Sequence, residues 1–155
     1  MKNAKFLLLV ALVVLISEAH AQFEFKIVTS IESIVPMGLG RSRIIENNGA
    51  VNADELTTER KDGNDSRQGS VKRSDVKIDE LNETKLVNFF SLGGINFRNI
   101  ASNDAVITSK LNTLTQQGWE LAYVTSAVES NAGNDDGEGI FITRFIFRRP
   151  LNKLK

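Results

Sequence analysis

Leu111-Asn112-Thr113-Leu114-Thr115-Gln116-Gln117-Gly118-Trp119-Glu120-Leu121 is the stretch on which the fold turns. Ile100, Ile107, Leu111 and Leu114 recur at the spacing of one face of an amphipathic helix. Gly118 supplies the left-handed residue that ends such a helix. At the other end Ser102 reads as the N-cap, with Asp104 in the first turn, where a carboxylate meets the positive end of the helix dipole. Trp119 opens a strand at once, with Trp119, Leu121 and Tyr123 on one face and Glu120, Ala122 and Val124 on the other. A tryptophan emerging from a helix stop packs under Ile107 and Leu111 as core, a better reading than a ligand-stacking platform.

Outward from this stretch, Ile140 to Arg149 is a strand so apolar that it reads as covered on both faces over much of its length, and Pro150 ends it. The run from Asn131 to Gly139 between the two strands is turn-forming. Near the start, Phe23, Phe25 and Ile27 alternate with Glu24, Lys26 and Val28 in the period-two pattern of a half-buried strand over Gln22 to Ile31. Arg41 to Glu46 resumes a short strand around Ile44 and Ile45, and Lys85 to Ala101 reads as a strand or packed loop over the core. The sum is an α+β fold, a β-α-β-β unit with a small mixed sheet and one helix on one face. The strands before and after the crossover run parallel, and the C-terminal strand is central, between them and antiparallel to both.

Three of these pieces, Phe23-Glu24-Phe25-Lys26-Ile27-Val28, Leu111 to Leu121, and Phe145-Ile146-Phe147-Arg148-Arg149, resemble a small bacterial family catalogued as domain of unknown function 4177. Its hallmark is a helix followed by Gly-Trp-Glu-Leu. The similarity spans residues 22–31 and 104–149. The family is compact and has no established activity, so the resemblance implies a fold and not a reaction. The long stretch between Val28 and the helix lies outside it.

That stretch includes residues 47–83, which contain no aromatic residue and nine acids against six bases. Such a segment cannot bury enough surface to offset its ordering entropy, so it reads as a polar, mobile insertion, with at most a short strand near Val76 to Leu81. At the N-terminus Lys2 and Lys5 precede an apolar run from Phe6 to Ile16, and Ala19-His20-Ala21 matches the pattern read by signal peptidase. The run is shorter than the roughly 20 residues that cross a bilayer. Residues 1–21 therefore read as a signal peptide cleaved after Ala21, and 22–155 as a single secreted or periplasmic domain.

Composition removes much chemistry. The 155 residues hold no cysteine, and the one histidine, His20, leaves with the signal peptide. The mature chain then has no means to build a Ser-His-Asp triad, a thiolate or imidazole zinc site, or a histidine pH switch. The 19 basic and 19 acidic residues balance, and no basic face or polybasic patch marks a nucleic-acid or membrane partner. No sequence fingerprint calls for a cofactor.

The remaining candidates are weak as motifs. Asn131, Asn134, Asp135, Asp136 and Glu138 are hard oxygen donors suited to calcium. Their spacing departs from the EF-hand loop, since placing Gly137 at the sixth position puts Ala132 first and Thr143 twelfth. Gly38-Leu39-Gly40-Arg41-Ser42-Arg43 would let backbone N–H groups and two arginines meet an anion, but no helix start follows. Glu24, Glu120 and Glu129 are carboxylates on or beside strands, and no spacing selects two of them for glycoside hydrolysis. The expected function is therefore non-catalytic, through an unidentified protein partner or self-association, with strand addition at an open sheet edge as one route. A calcium or small-ligand module built on residues 131–139 is the alternative.

Overall fold

The computed structural model describes residues 22–34, 41–64, 67–91, 93–129 and 140–151. The signal-peptide reading lies outside them. The elements in chain order are β1 (Phe23–Ser33), β2 (Arg43–Asn47), α1 (Arg73–Val76), β3 (Leu81–Lys85), β4 (Phe90–Ser91), β5 (Gly94–Ile95), α2 (Phe97–Gln116), β6 (Glu120–Val128) and β7 (Ile140–Pro150). Five strands form one sheet in the order β3-β2-β1-β7-β6, and β4 pairs with β5 apart from it. The fold is α+β.

The spine is the β1–β7 pair, in register from Phe23 opposite Pro150 to Ser33 opposite Ile140. As the sequence implies, β7 lies between β1 and β6 and runs antiparallel to both. Every pairing in the sheet is antiparallel, so β1 and β6 share a direction without touching, and the sheet is antiparallel where a mixed one was expected. β2 and β3 extend the sheet on the other side of β1.

Period-two alternation assigns side chains to the two faces. On the helix side, Val28, Ile44, Leu86, Leu114, Trp119 and Phe147 form the buried core, with Val106, Ile107, Leu111 and Phe145 packed against it. On the opposite side Phe25 is 65% and Ile27 50% exposed. The expectation that β7 is covered on both faces therefore fails. Among the described residues one helix covers one face, and Ile140, Ile142 and Ile146 lie on the other, only partly shielded.

The helix starts earlier than the sequence suggests. Its N-cap is Asn96, not Ser102, because the Asn96 side chain accepts from the N–H groups of Arg98 and Asn99 and extends the helical run back to Phe97. Ser102 lies inside the helix, its hydroxyl donating to the Arg98 carbonyl at 2.8 Å. The C-terminus is as read: Gly118 takes φ +84°. Trp119 N–H reaches back to Leu114 O at 3.1 Å and Gly118 N–H to Thr115 O at 3.0 Å, the paired bonds of a Schellman motif. Its hydrophobic contact is Trp119 with Leu114, both buried in the core.

Asn103 fixes the helix to the rest of the chain. Buried on α2, it accepts from Val87 N–H at 2.9 Å and donates to Val87 O and to the Glu32 carboxylate. One amide therefore joins the helix, the segment after β3 and the end of β1. That segment, read as strand or packed loop, is a loop through Leu86 followed by the β4–β5 turn.

Residues 47–83 are not wholly outside the sheet. Asn47 ends β2, and the strand expected near Val76 to Leu81 is instead β3, displaced toward Lys85. A polar strand is stable there because its backbone pairs with β2 while its side chains stay in solvent. Between the strands lie 3-10 turns at Ala53–Leu56 and Arg67–Ser70 and the single turn of α1. None of the described residues in 47–83 is buried.

Candidate functional site

β6 is one edge of the sheet. All nine of its residues are exposed. From Leu121 to Val128 it carries no charge, proline or glycine, the features that commonly blunt an edge. Its one irregularity is the register shift between Leu121 and Tyr123, which leaves Tyr123–Val128 regular against β7. The shift also moves Tyr123 onto the open face, opposite Ile146, while Leu121 stays opposite Phe147 on the helix side, so the two do not share a face as the alternation suggested.

Which backbone groups are free follows from one bond. Glu129 N–H donates to Ile140 O at 3.0 Å, so Glu129, Ala127, Thr125 and Tyr123 direct their N–H and C=O toward β7. The same groups of Val124, Ser126 and Val128 point away from the sheet. Val128 is 56% and Val124 43% exposed, so the apolar side chains beside these free groups also lack cover.

The open face adjoins this edge. One cross-strand row on it runs Ile27, Ile146, Tyr123. At one end Arg148 clamps Glu120 through Nε and Nη2 at 3.1 and 3.2 Å and lies over the Phe23 ring at 4.9 Å. The hydrogen bond and charge of Arg148 hold the Glu120 carboxyl below the usual carboxylate range, and those of Glu120 raise the guanidinium in turn. Arg43 pairs with Glu83 near the other end. In the middle, Arg144 has Thr29 and Thr125 as its cross-strand neighbours.

A polar cluster on the helix side was not readable from the sequence. Glu46, on β2, is buried and binds Lys26 of β1 and Lys110 of α2. Burial pushes its carboxyl up, but the hydrogen bonds and charges of Lys110 and Lys26 outweigh this and hold it below its ordinary value. Lys26 also lies over the Trp119 ring, which Arg149, paired with Glu24, approaches at 4.3 Å. A cleft of about 580 Å³ opens beside Glu24, Lys26 and Trp119. Each carboxylate here is engaged by a cation, so the arrangement joins strands to helix without presenting a poised acid or base. Residues 46, 26 and 110 are too far apart in sequence for any local pattern to associate them.

Two of the candidates from sequence fall wholly or partly outside the described residues. Asn131, Asn134, Asp135, Asp136 and Glu138 lie outside the described residues, as do Gly38, Leu39 and Gly40. Ser42 is buried, accepting from Ser33 N–H at 2.9 Å and donating to Asn88 Oδ1 at 2.6 Å, while Arg43 is held by Glu83. Glu24 and Glu120 pair with successive residues of β7, which places them on opposite faces, and Glu129 lies at the far end of β6. Trp119 is core, as expected. Among the described residues no cluster of acidic, histidine or cysteine side chains could hold a metal ion, and no helix is long and apolar enough to cross a membrane. Protein-family models, curated proteins and solved structures were all compared with the chain, and none matches it significantly.

Proposed function

We propose that this chain is a secreted or periplasmic, non-catalytic domain that works through protein contacts, accepting a partner strand along β6. The observation that carries this reading is the free edge itself, with outward backbone groups at Val124, Ser126 and Val128 beside exposed valines and no charged side chain between Leu121 and Val128. Main-chain pairing supplies affinity in such a contact, and alternate side chains supply selectivity. The non-catalytic part draws support from the engagement of Glu24, Glu46 and Glu120 by cations and from a mature chain without histidine or cysteine. The resemblance to domain of unknown function 4177 bears on the fold alone.

The test is capture from the native host with wild-type protein and with Val128→Pro. Proline at 128 removes an outward N–H and leaves the β7 ladder intact, because that N–H does not bond β7. Loss of the captured protein with folding unchanged is the expected result. Equal capture by both would place the contact elsewhere.

A further inference from the structure

We infer that the strand accepted by β6 is β6 of a second copy of this chain, antiparallel about a twofold axis at Ser126. The inference rests on the edge reading above and names its partner. Val124, Ser126 and Val128 are the outward residues, and antiparallel self-pairing centred on Ser126, the middle one, is the register that places all three in bonded pairs. Around it, Val124 of each copy faces Val128 of the other, in pairs that exchange both N–H···O=C bonds. Thr125 faces Ala127, and Tyr123 faces Glu129. The paired segment stays within the regular stretch from Tyr123 and leaves the irregularity at Leu121 outside.

Three features favour a copy of the same chain. No like charges meet, since the segment from Leu121 to Val128 is uncharged and Glu129 falls opposite a tyrosine. The valines exposed at 43% and 56% cover each other on the helix side. At the opposite edge of the sheet the equivalent register opposes like charges. Leu86 N–H bonds Ser42 O at 3.0 Å and Asn48 N–H bonds Glu80 O at 3.3 Å, which leaves Leu81, Glu83 and Lys85 as the outward residues of β3. Self-pairing about the middle one would set Glu83 against Glu83. The register that bonds every outward residue therefore opposes no like charges at β6 and sets two carboxylates together at β3.

Because the chain has no cysteine, Ser126→Cys gives a unique reporter. A bonded antiparallel pair holds its Cα atoms about 5.5 Å apart, within disulfide reach. The exported chain carrying Ser126→Cys is expected to form a covalent dimer under mild oxidation. Thr125→Cys, which faces Ala127 of the other copy, stays uncrosslinked. By sedimentation the wild type is dimeric, and Ser126→Lys or Ser126→Glu alone weakens the dimer on the order of tenfold or more by like-charge opposition. An equimolar mixture of the two restores it. Ser126 is exposed, so circular dichroism should show both variants folded. A monomeric wild type, equal crosslinking at 125 and 126, or no rescue on mixing would overturn the inference. If the wild type is monomeric while Val128→Pro still loses a host protein, the edge reading survives and the second copy is wrong. If capture is unaffected as well, both fail.

Discussion

Ile27 and Val28 are neighbours on one strand, both β-branched and apolar, yet Ile27 is 50% exposed and Val28 1%. The same contrast runs across the sheet. Toward the helix even polar side chains are buried: Ser30, Glu46 and Asn103 join the apolar core, and no buried side-chain nitrogen or oxygen among the described residues lacks a hydrogen bond. Away from the helix, Phe25 and Tyr123 are 65% and 63% exposed. Composition therefore does not select the inner face. What selects it is the docking of α2, which needs Leu114 and Trp119 over Phe147 and needs Lys110 and Asn103 to meet Glu46 and Glu32.

The sharpest way to break this contrast is a matched pair of phenylalanine truncations. Phe147→Ala should cost about 3–5 kcal/mol in urea unfolding, since Phe147 is fully buried and its loss leaves a cavity. Phe25→Ala should cost under about 1 kcal/mol, in line with exposed positions. Equal costs would mean that something covers the open face in solution.

Next come the two carboxylates. Glu46→Gln should destabilise by about 2–3 kcal/mol, below the full cost of breaking a buried pair because Lys26 and Lys110, at 27% and 24% exposure, can rehydrate. Glu46 is held below its ordinary value of 4.5, so its contribution is complete above that pH and is lost as pH falls through the lower folded value. Wild type should lose stability on the acid side of 4.5 more steeply than Glu46→Gln. Glu120 is shifted in the same direction but lies in solvent on the open face, and Glu120→Gln should leave the acid limb nearly unchanged. Matching slopes for the two variants would show that Glu46 is no more coupled to folding than Glu120.

A smaller effect is expected at the helix start, where Asn96→Ala should cost about 1 kcal/mol by chemical denaturation. If Ser102→Ala cost more, the cap would lie where the sequence pattern put it. The least energetic probe is trypsin. First cuts should fall at Arg60, Lys61, Arg67, Lys72 or Arg73, with the flanks still associated, because none of these residues is buried and each lies between β2 and β3. Protection of all five would show the segment to be covered.

Much of this architecture is local enough to be read from sequence. Gly118 before Trp119 fixes the helix stop, and the apolar content of 140–149 places that strand between its neighbours. Most of the errors originate in contacts between distant residues, and the helix start in a local one that the apolar pattern masks. Ile95-Asn96-Phe97 continues an apolar run, so the cap at Asn96 is hidden until its side chain is seen to accept from the next turn. Alternation over Phe23 to Val28 shows that there are two faces but not which one the helix takes, and the helix takes the less aromatic one. Glu46 meets partners on β1 and α2, and the outward groups of β6 depend on its register with β7. No spacing encodes either.

The bond from Asn48 N–H to Glu80 O has a consequence for how this chain can vary. It closes the base of the excursion between β2 and β3, so residues 49–79 leave and re-enter the sheet at adjacent points, about one strand spacing apart. Loop closure changes by only about 0.6 kcal/mol for each doubling of length. The sheet therefore acts as a socket: the segment can be trimmed to a tight turn, or exchanged for a foreign domain with adjacent termini, while β1, β7 and the helix keep their register.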